Sequence, residues 1–377
     1  MAISTRELAN GAGEKEAFDI SFFSSQATTT KKKRERLFFF LFLFLSPPSL
    51  NLHNLNLLVL LLLKTSKKPP SPPSKNLSLL PFQSKLRAKD PYTQYAALEA
   101  AGASVVFADP SDAAVVKKVW AEASPEIVYD NNGKDIAACG ALIDAAEAAG
   151  GRVKHYCFVG SAGAYADNYV EPQLFEGMTR KPKAPHFGVE ARLEASKLPY
   201  TVFQPLYIYG AYTNKDCEQW FLDRIVRGRP VPIPAPGVQL VSLSHVDDLA
   251  AAMAAVVGTE GAKRQHLNIC SDRAITLAGI VSTLAKAAGV EAEVVLYDPK
   301  AVALEKGEGF PFRTGHFFAS AEKTKKVLNW KPEHTFLGDA AERVAAYRAS
   351  GRDKKEMAFP GDDKILAAVK KVAAVAA

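Results

Sequence analysis

From Ala103 to Gln204 short apolar segments alternate with Ala-rich segments of helical period, and few folds accept a chain patterned in this way. The apolar segments are Ala103–Ala108 (ASVVFA), Glu126–Asp130 (EIVYD), His155–Gly160 (HYCFVG) and Tyr200–Gln204 (YTVFQ). None shows the polar alternation of a strand with one wet face, so each reads as a strand buried on both sides. Between them, Asp112–Ala121 sets Val115, Val116, Val119 and Trp120 on one helical face, Asp135–Ala149 is an Ala-rich helix stopped at Gly150-Gly151, and Pro185–Leu198 is helical. Upstream, Tyr95–Ala101 reads as the end of a further helix, stopped by Gly102. Strands joined through helices run parallel and are covered on both faces, which makes the fold class α/β with a doubly wound parallel sheet. Ligands of such sheets sit beyond the carboxyl ends of the strands.

A sheet of this kind that binds a dinucleotide opens with a strand, a Gly-rich turn and a helix that hold the pyrophosphate. No such unit precedes Ala103. The nearest match, Gly11-Ala12-Gly13, follows a polar stretch instead of a buried strand and has Glu16 where a third glycine belongs. The body therefore starts after the place of its own second strand, and its first β-α-β unit is expected to be missing. Residues 1–89 pass from a polar start through Lys31-Lys32-Lys33-Arg34 to the Leu/Phe run Leu37–Leu45, the run Leu57–Leu63 and a Lys/Pro/Ser stretch, with no acid between Arg36 and Lys89. Both apolar runs fall short of the roughly 18–20 residues that span a bilayer, so no stable membrane insertion is expected. Two explanations stay open for this low-complexity segment. Its poverty in acids suits an organelle transit segment, whereas its repetitiveness and the missing strand suit a stretch that replaces the usual beginning of the chain. The organisation expected is residues 1–89 as this segment, 90–260 as the α/β body and 261–377 as a C-terminal lobe and tail.

The formal net charge of +7 belongs to the same segment. Residues 1–89 carry 14 of the 47 Lys and Arg but only 5 of the 40 Asp and Glu, which leaves 33 cations against 35 anions from residue 90 onward. Any nucleic-acid contact of the body must therefore come from a local patch. The four cysteines, Cys139, Cys157, Cys217 and Cys270, lie far apart without CxxC or Cys/His spacing and are expected to be buried free thiols.

Five elements in one order carry a family resemblance over residues 92–350. Phe158-Val159-Gly160-Ser161-Ala162-Gly163-Ala164-Tyr165 resembles the strand-end SSxxxY element of extended short-chain dehydrogenases, and Gln204-Pro205-Leu206-Tyr207-Ile208-Tyr209-Gly210 resembles their RPxxxYG turn. Ser244–Ala250 is similar to their hVxDxA element, and Leu267-Asn268-Ile269 with Thr276-Leu277, then Leu328–Pro332, match their later landmarks. The resemblance implies a Rossmann-like body with a small C-terminal α/β lobe. Working members carry Tyr and Lys spaced YxxxK on the helix after the Ser, but here those positions are His186 and Glu190. A carboxylate in place of the ammonium reverses the charge that would acidify a phenol and faces the phosphates of a dinucleotide. NAD(P) is therefore not an expected cofactor. The combination of Asp130–Asp135, Ser161–Tyr165, Asn214–Phe221, Phe310–Arg313 and the tail pieces Gly351–Met357 and Asp362–Leu366 is similar to the chloroplast stem-loop-binding proteins. That resemblance implies an RNA-binding protein of the chloroplast stroma with a magnesium-dependent endoribonuclease activity on stem-loops. It further implies work on plastid mRNA and ribosomal RNA, in oligomers with a related protein and in association with ribosomal particles.

Cleaving RNA takes a base for a hydroxyl or water, an acid for the leaving oxygen and positive charge on the phosphate. His186 titrates near neutrality and is the candidate base or acid, the ordinary alternative being a hydrogen-bonding group at a helix start. Glu190 lies one turn further on the same face and either couples to His186 or makes a solvated contact. Ser161 retains a hydroxyl donor. For magnesium, Asp247 and Asp216 offer hard oxygens, while Asp248 reads as the anchor of a helix over Ala250–Val257 and His245 stands at most behind the ligands. For phosphates, Arg224, Arg227 and Arg229 cluster within two turns and Lys134 follows the second strand, with Trp220, Phe221 and Tyr212 offering flat faces to bases. The alternative pairs these arginines with Asp216, Glu218 and Asp223 on the surface, and the cluster Arg352-Asp353-Lys354-Lys355 reads as a solvated tail. The competing function is an NAD(P)-dependent nucleotide-sugar epimerase, dehydratase or reductase.

Overall fold

The computed structural model describes residues 39–41, 58–59 and 106–376, apart from 168, 169, 212, 214 and 215. The Gly11–Gly13 turn, the helix end at 95–102 and Tyr212 lie outside the described residues, as does most of the segment 1–89. A five-stranded sheet, wholly parallel, runs in the order β1 (Phe39–Leu41), β2 (Ile127–Asp130), β3 (His155–Val159), β4 (Tyr200–Pro205), β5 (Gln265–Ile269). Strands β2, β3 and β4 are buried along their whole length, as their unbroken apolar character requires. No β-α-β unit precedes them among the described residues. The edge beside β2 is taken by three residues of the Leu/Phe run, Phe39 opposite Ile127 and Leu41 opposite Tyr129. An open strand edge offers unpaired N–H and C=O groups to any extended segment, and this one contains no proline. Of the strand expected at Ala103–Ala108, only Phe107–Ala108 is described as one; it pairs antiparallel with Leu58–Val59 outside the main sheet.

Helices α1 (Ala113–Ala123), α2 (Ile136–Ala148) and α3 (Phe187–Ala195) cover one face of the sheet. Asp112 and Asp135, expected as first helical residues, are instead N-caps whose carboxylates accept from Ala114 and Val115 and from Ala137 and Ala138. Because side chains alternate along a strand, Val128, Tyr156, Phe158 and Val202 meet these helices while Ile127, Tyr129, Cys157, Val159 and Phe203 meet the opposite layer. That layer is built by α5 (Val246–Ala255) with Leu328 and Trp330. A third core joins α4 (Glu218–Ile225), the strand Val231–Pro234, α6 (Leu277–Ala288) and α8 (Phe336–Ala349) into the C-terminal lobe. The chain crosses between body and lobe more than once, since α4 belongs to the lobe and β5 to the sheet. Helix α7 (Glu322–Leu328) leads to Trp330, and α9 (Pro360–Ala376) closes the described chain. All four cysteines are buried free thiols, as expected. Among the described residues no helix is long and apolar enough to cross a membrane.

Candidate functional site

The carboxyl ends of β2, β3 and β4 are lined by polar groups whose placement follows from the turns that end each strand. At the end of β2, Asp130 stays fully buried and accepts from Tyr156 Oη at 2.7 Å and from Asn132 N and Nδ2, both at 2.9 Å. Burial pushes its carboxyl upward against those bonds. After β3, Ser161 starts a short 3-10 turn and its Oγ accepts from Gly163 N at 3.0 Å. Tyr165, the last residue of the SSxxxY-like element, is buried with its hydroxyl between Gln204 Oε1 and Asn268 Oδ1, so it ties β4 to β5.

His186 takes the N-cap position of α3 without capping it, and its Nε2 would lie 3.7 Å from a Cβ at Gly133. Glu190, one turn on, points inward. It is buried against Gly160, where an added Cβ would meet Oε1 at 3.0 Å, and its Oε2 accepts from Arg180 Nη1 at 2.7 Å. Arg180 Nη2 donates to Glu194 Oε1 at 2.6 Å, and His266 Nε2 lies 3.0 Å from the same oxygen. Burial outweighs Arg180 and pushes the Glu190 carboxyl up to about 7. The group at the family's lysine position is thus a carboxylate drawn into the helix–sheet interface, leaving no ammonium to hold a ribose. A carboxylate at that position does not fit the ribose contact that a lysine makes. The contact of Glu190 with Arg180 also departs from the solvated pairing weighed for it, and Arg180 itself carries no motif that would have singled it out.

The arginine helix needs the largest correction. Arg224 is buried: Nε and Nη2 donate to the two carboxylate oxygens of Asp362, each at 2.8 Å, while the guanidinium lies 3.5 Å from the centre of the Trp220 ring. Arg227 donates to Asp223 O, Tyr347 Oη, Arg352 O and Lys355 O, and Arg229 pairs with Asp363. All three arginines expected to meet phosphate are committed to the tail, whose acids lie more than 130 residues away in sequence. Trp220 is half-buried, with one face covered by Arg224 and edge-to-face contacts to Phe221 and Phe310, so that face is closed to a base, and Phe221 is fully buried. The tail cluster is likewise not solvated throughout, because Arg352 holds Asp216 with two bonds at 2.9 and 2.5 Å and also holds Asp223.

That pairing removes Asp216 as an open magnesium ligand. Asp248 is no nearer to the task, since its oxygens accept from Glu333 N at 2.9 Å and His334 N at 3.2 Å, anchoring the start of α8. Helix α5 starts at Val246, earlier than expected, because His245 is the cap: its Nδ1 accepts from Asp247 N at 3.2 Å. Asp247 is exposed, and its Oδ2 lies 3.7 Å from Nδ1 of His245. The candidate metal cluster among the described residues is His245, His334 and Asp339, with ligand atoms within 4.8 Å of one another. Its two imidazoles are stacked, centroids 3.6 Å apart and 15° from parallel, so their in-plane lone pairs run side by side and do not converge. Two nitrogens and one carboxylate, which also accepts from Tyr209 Oη at 2.6 Å, are a poor donor set for magnesium. Among the described residues this cluster does not fit a protein-held magnesium ion.

Positive charge gathers instead around the mouth. Lys134 follows β2 and Lys183 precedes α3; both are exposed, and neither has an ion-pair partner among the described residues. Arg313 Nη2 donates to Gly163 O at 3.1 Å, its Nη1 lies 3.4 Å from Asp167, and Lys181 shares that carboxylate at 3.0 Å. Of these four, sequence reasoning named only Lys134 as a contact; Arg313 lies in the noted Phe310–Arg313 element without a role assigned.

A family model described as NAD(P)H-binding matches residues 82–219. The chain is 36% identical over 262 residues to the chloroplast stem-loop binding protein of 41 kDa b of Arabidopsis thaliana, the match covering 68% of each chain. Among solved structures it is similar to UDP-glucose 4-epimerase of Thermotoga maritima, with a TM-score of 0.52 at 20% identity over 64% of this chain and 83% of that one. It is also similar to dTDP-glucose 4,6-dehydratase of Bacillus anthracis in complex with NAD, with a TM-score of 0.55 at 16% identity over 66% and 80%. Likeness at that identity speaks for the fold alone.

Proposed function

The chain belongs to the family of the 41 kDa chloroplast stem-loop binding proteins, and from that premise we propose that it binds stem-loop RNA in the chloroplast stroma on a scaffold of NAD(P)-binding type. The identity to the Arabidopsis relative over two thirds of both chains carries this reading. It is supported by the mouth of the sheet, where the carboxylate of Glu190 stands at the cofactor lysine's position and cations ring the rim.

Work on plastid mRNA and ribosomal RNA, in oligomers or ribosome-associated particles, belongs to the same proposal, as does cleavage of the bound stem-loop. His186 and Ser161 are the half-buried polar groups that cleavage would call on. Glu190 is sealed behind Arg180 and builds the mouth instead of exchanging protons with a substrate.

The test is affinity. Fluorescence anisotropy of the full chain with a labelled stem-loop RNA is expected to show tighter binding than with the same bases scrambled so that no stem forms. Equal affinity for both would overturn the reading. The match to an NAD(P)H-binding family favours one rival, an epimerase or reductase. Its cofactor should raise the thermal midpoint by mass action if it binds. Millimolar NAD or NADP is expected to leave that midpoint in place, and a rise of several degrees would restore the rival.

A further inference from the structure

We infer that the RNA lies across the carboxyl edge of the sheet and is held there by Lys134, Lys181, Lys183 and Arg313, while the arginines of α4 serve the fold. The inference rests on the stem-loop reading and assigns it a surface. An RNA stem shows a protein chiefly its phosphates and 2′-hydroxyls, so the partner selects a rim of accessible cations over a pocket. From residue 90 onward cations and anions nearly cancel, so such a rim must be a local excess.

Three features set this rim apart from the other basic stretches. Lys134 and Lys183 are exposed and unpaired among the described residues, so they lose no partner when a phosphate arrives. Lys181 and Arg313 share the single carboxylate of Asp167, which leaves one positive charge in excess beside Ser161. Their placement is fixed by backbone: Lys181 N donates to Ala164 O at 2.7 Å, and Arg313 N donates to Tyr207 Oη at 2.7 Å while its guanidinium lies 4.2 Å from the centre of the Phe317 ring. The loops concerned adjoin one another. Gly133 faces His186, and Gly163 lies between the Ser161 hydroxyl and Arg313 Nη2, at 3.0 and 3.4 Å from an added Cβ. The rim also includes the N-terminus of α3, whose partial positive charge favours an anion. On α4, by contrast, Arg224, Arg227 and Arg229 already have carboxylates or carbonyls.

The test compares two double variants of the full chain with the parent, by stem-loop affinity across a salt series. Lys134→Ala with Lys183→Ala removes two rim charges from exposed positions. Lys370→Ala with Lys371→Ala removes two exposed charges from α9 and serves as the matched control. Each phosphate contact contributes about 0.7–0.9 to the slope of log affinity against log salt, so the rim variant is expected to lose between one and two units of slope and about tenfold in affinity at 0.1 M salt. The control is expected to match the parent. If the parent itself does not prefer the stem-loop, the reading beneath fails. If the parent binds and the rim variant keeps both affinity and slope, or loses no more than the control, the surface assigned here is wrong. Arg313→Ala supplies a second reading of the same slope, with circular dichroism confirming that it folds.

Discussion

Glu190 shows how one substitution at a family position changes both chemistry and stability. An acid whose carboxyl is pushed up to about 7 by burial binds its proton more readily in the folded chain than in the unfolded one. Between its unfolded value near 4.5 and the folded value near 7 the native state holds more protons, so this contribution to stability is present at low pH and is lost as pH rises through 7. A rise from near 4.5 to about 7, with the pull of Arg180 already included, corresponds to a loss of about 3 kcal/mol at most. Glu190→Gln keeps the shape and an acceptor for Arg180 but cannot ionise. Relative to the parent, it is expected to gain stability between pH 5 and pH 8, measured by urea denaturation at both values. A parent-to-variant difference that is the same at pH 5 and pH 8 would show that Glu190 does not titrate in this window.

At the scale of elements, the junction of α4 with the tail is where the sequence misleads most. Three arginines in two turns look like a phosphate site because the acids that neutralise Arg224 and Arg229 lie at Asp362 and Asp363, and nothing local announces those pairings; Arg227 alone has a local acid, with Nη1 3.9 Å from the Asp223 carboxylate one turn back. Removing one partner of a buried ion pair strands the other charge, at a cost of about 3–5 kcal/mol. Arg224→Ala is therefore expected to lower the denaturation midpoint markedly. Arg224→Lys should recover only part of the loss, since lysine lacks the fork that grips both Asp362 oxygens. Stem-loop affinity of the folded fraction should not change; a loss of binding at unchanged stability would return α4 to the RNA surface. What was legible here was local: the continuous apolar runs gave β2, β3 and β4, and Asp112 and Asp135 marked helix starts to within one residue. The start of α5 was missed because a histidine, His245, does the capping, and the residues of the mouth were legible where a family motif covers them, at Ser161 after β3, at Lys134 after β2 and at His186 and Glu190 on α3. Arg180 and the His245–His334 stack depend on segments brought together by the fold, which no periodicity encodes.

The molecule as a whole carries two opposed sets of buried titratable groups, and their balance fixes its response to acid. Burial raises Asp130, Glu176, Glu190, Glu218 and Asp248, each of which gains native protons as pH falls and so favours the folded state in acid. Burial lowers His155 and His266 to about 4 and also lowers His245. A histidine kept neutral in the fold but charged in the unfolded chain contributes stability above its unfolded value near 6.5, and that contribution is lost as pH falls toward 4. Over roughly pH 4.5–6.5 the two sets therefore work against each other, and the parent should change little in stability where either set alone would tilt it. His155 gives the cleanest test, because its Nε2 reaches only the Thr201 hydroxyl, at 2.7 Å, and its ring is buried at the start of β3. His155→Gln cannot take up a proton in the unfolded state, so on moving from pH 7 to pH 5 it should lose less stability than the parent, or gain some. The variant will be less stable than the parent at pH 7 because the pocket is shaped for an imidazole; the informative quantity is the change with pH. An identical acid response in parent and variant would mean that His155 is already charged in the folded sheet.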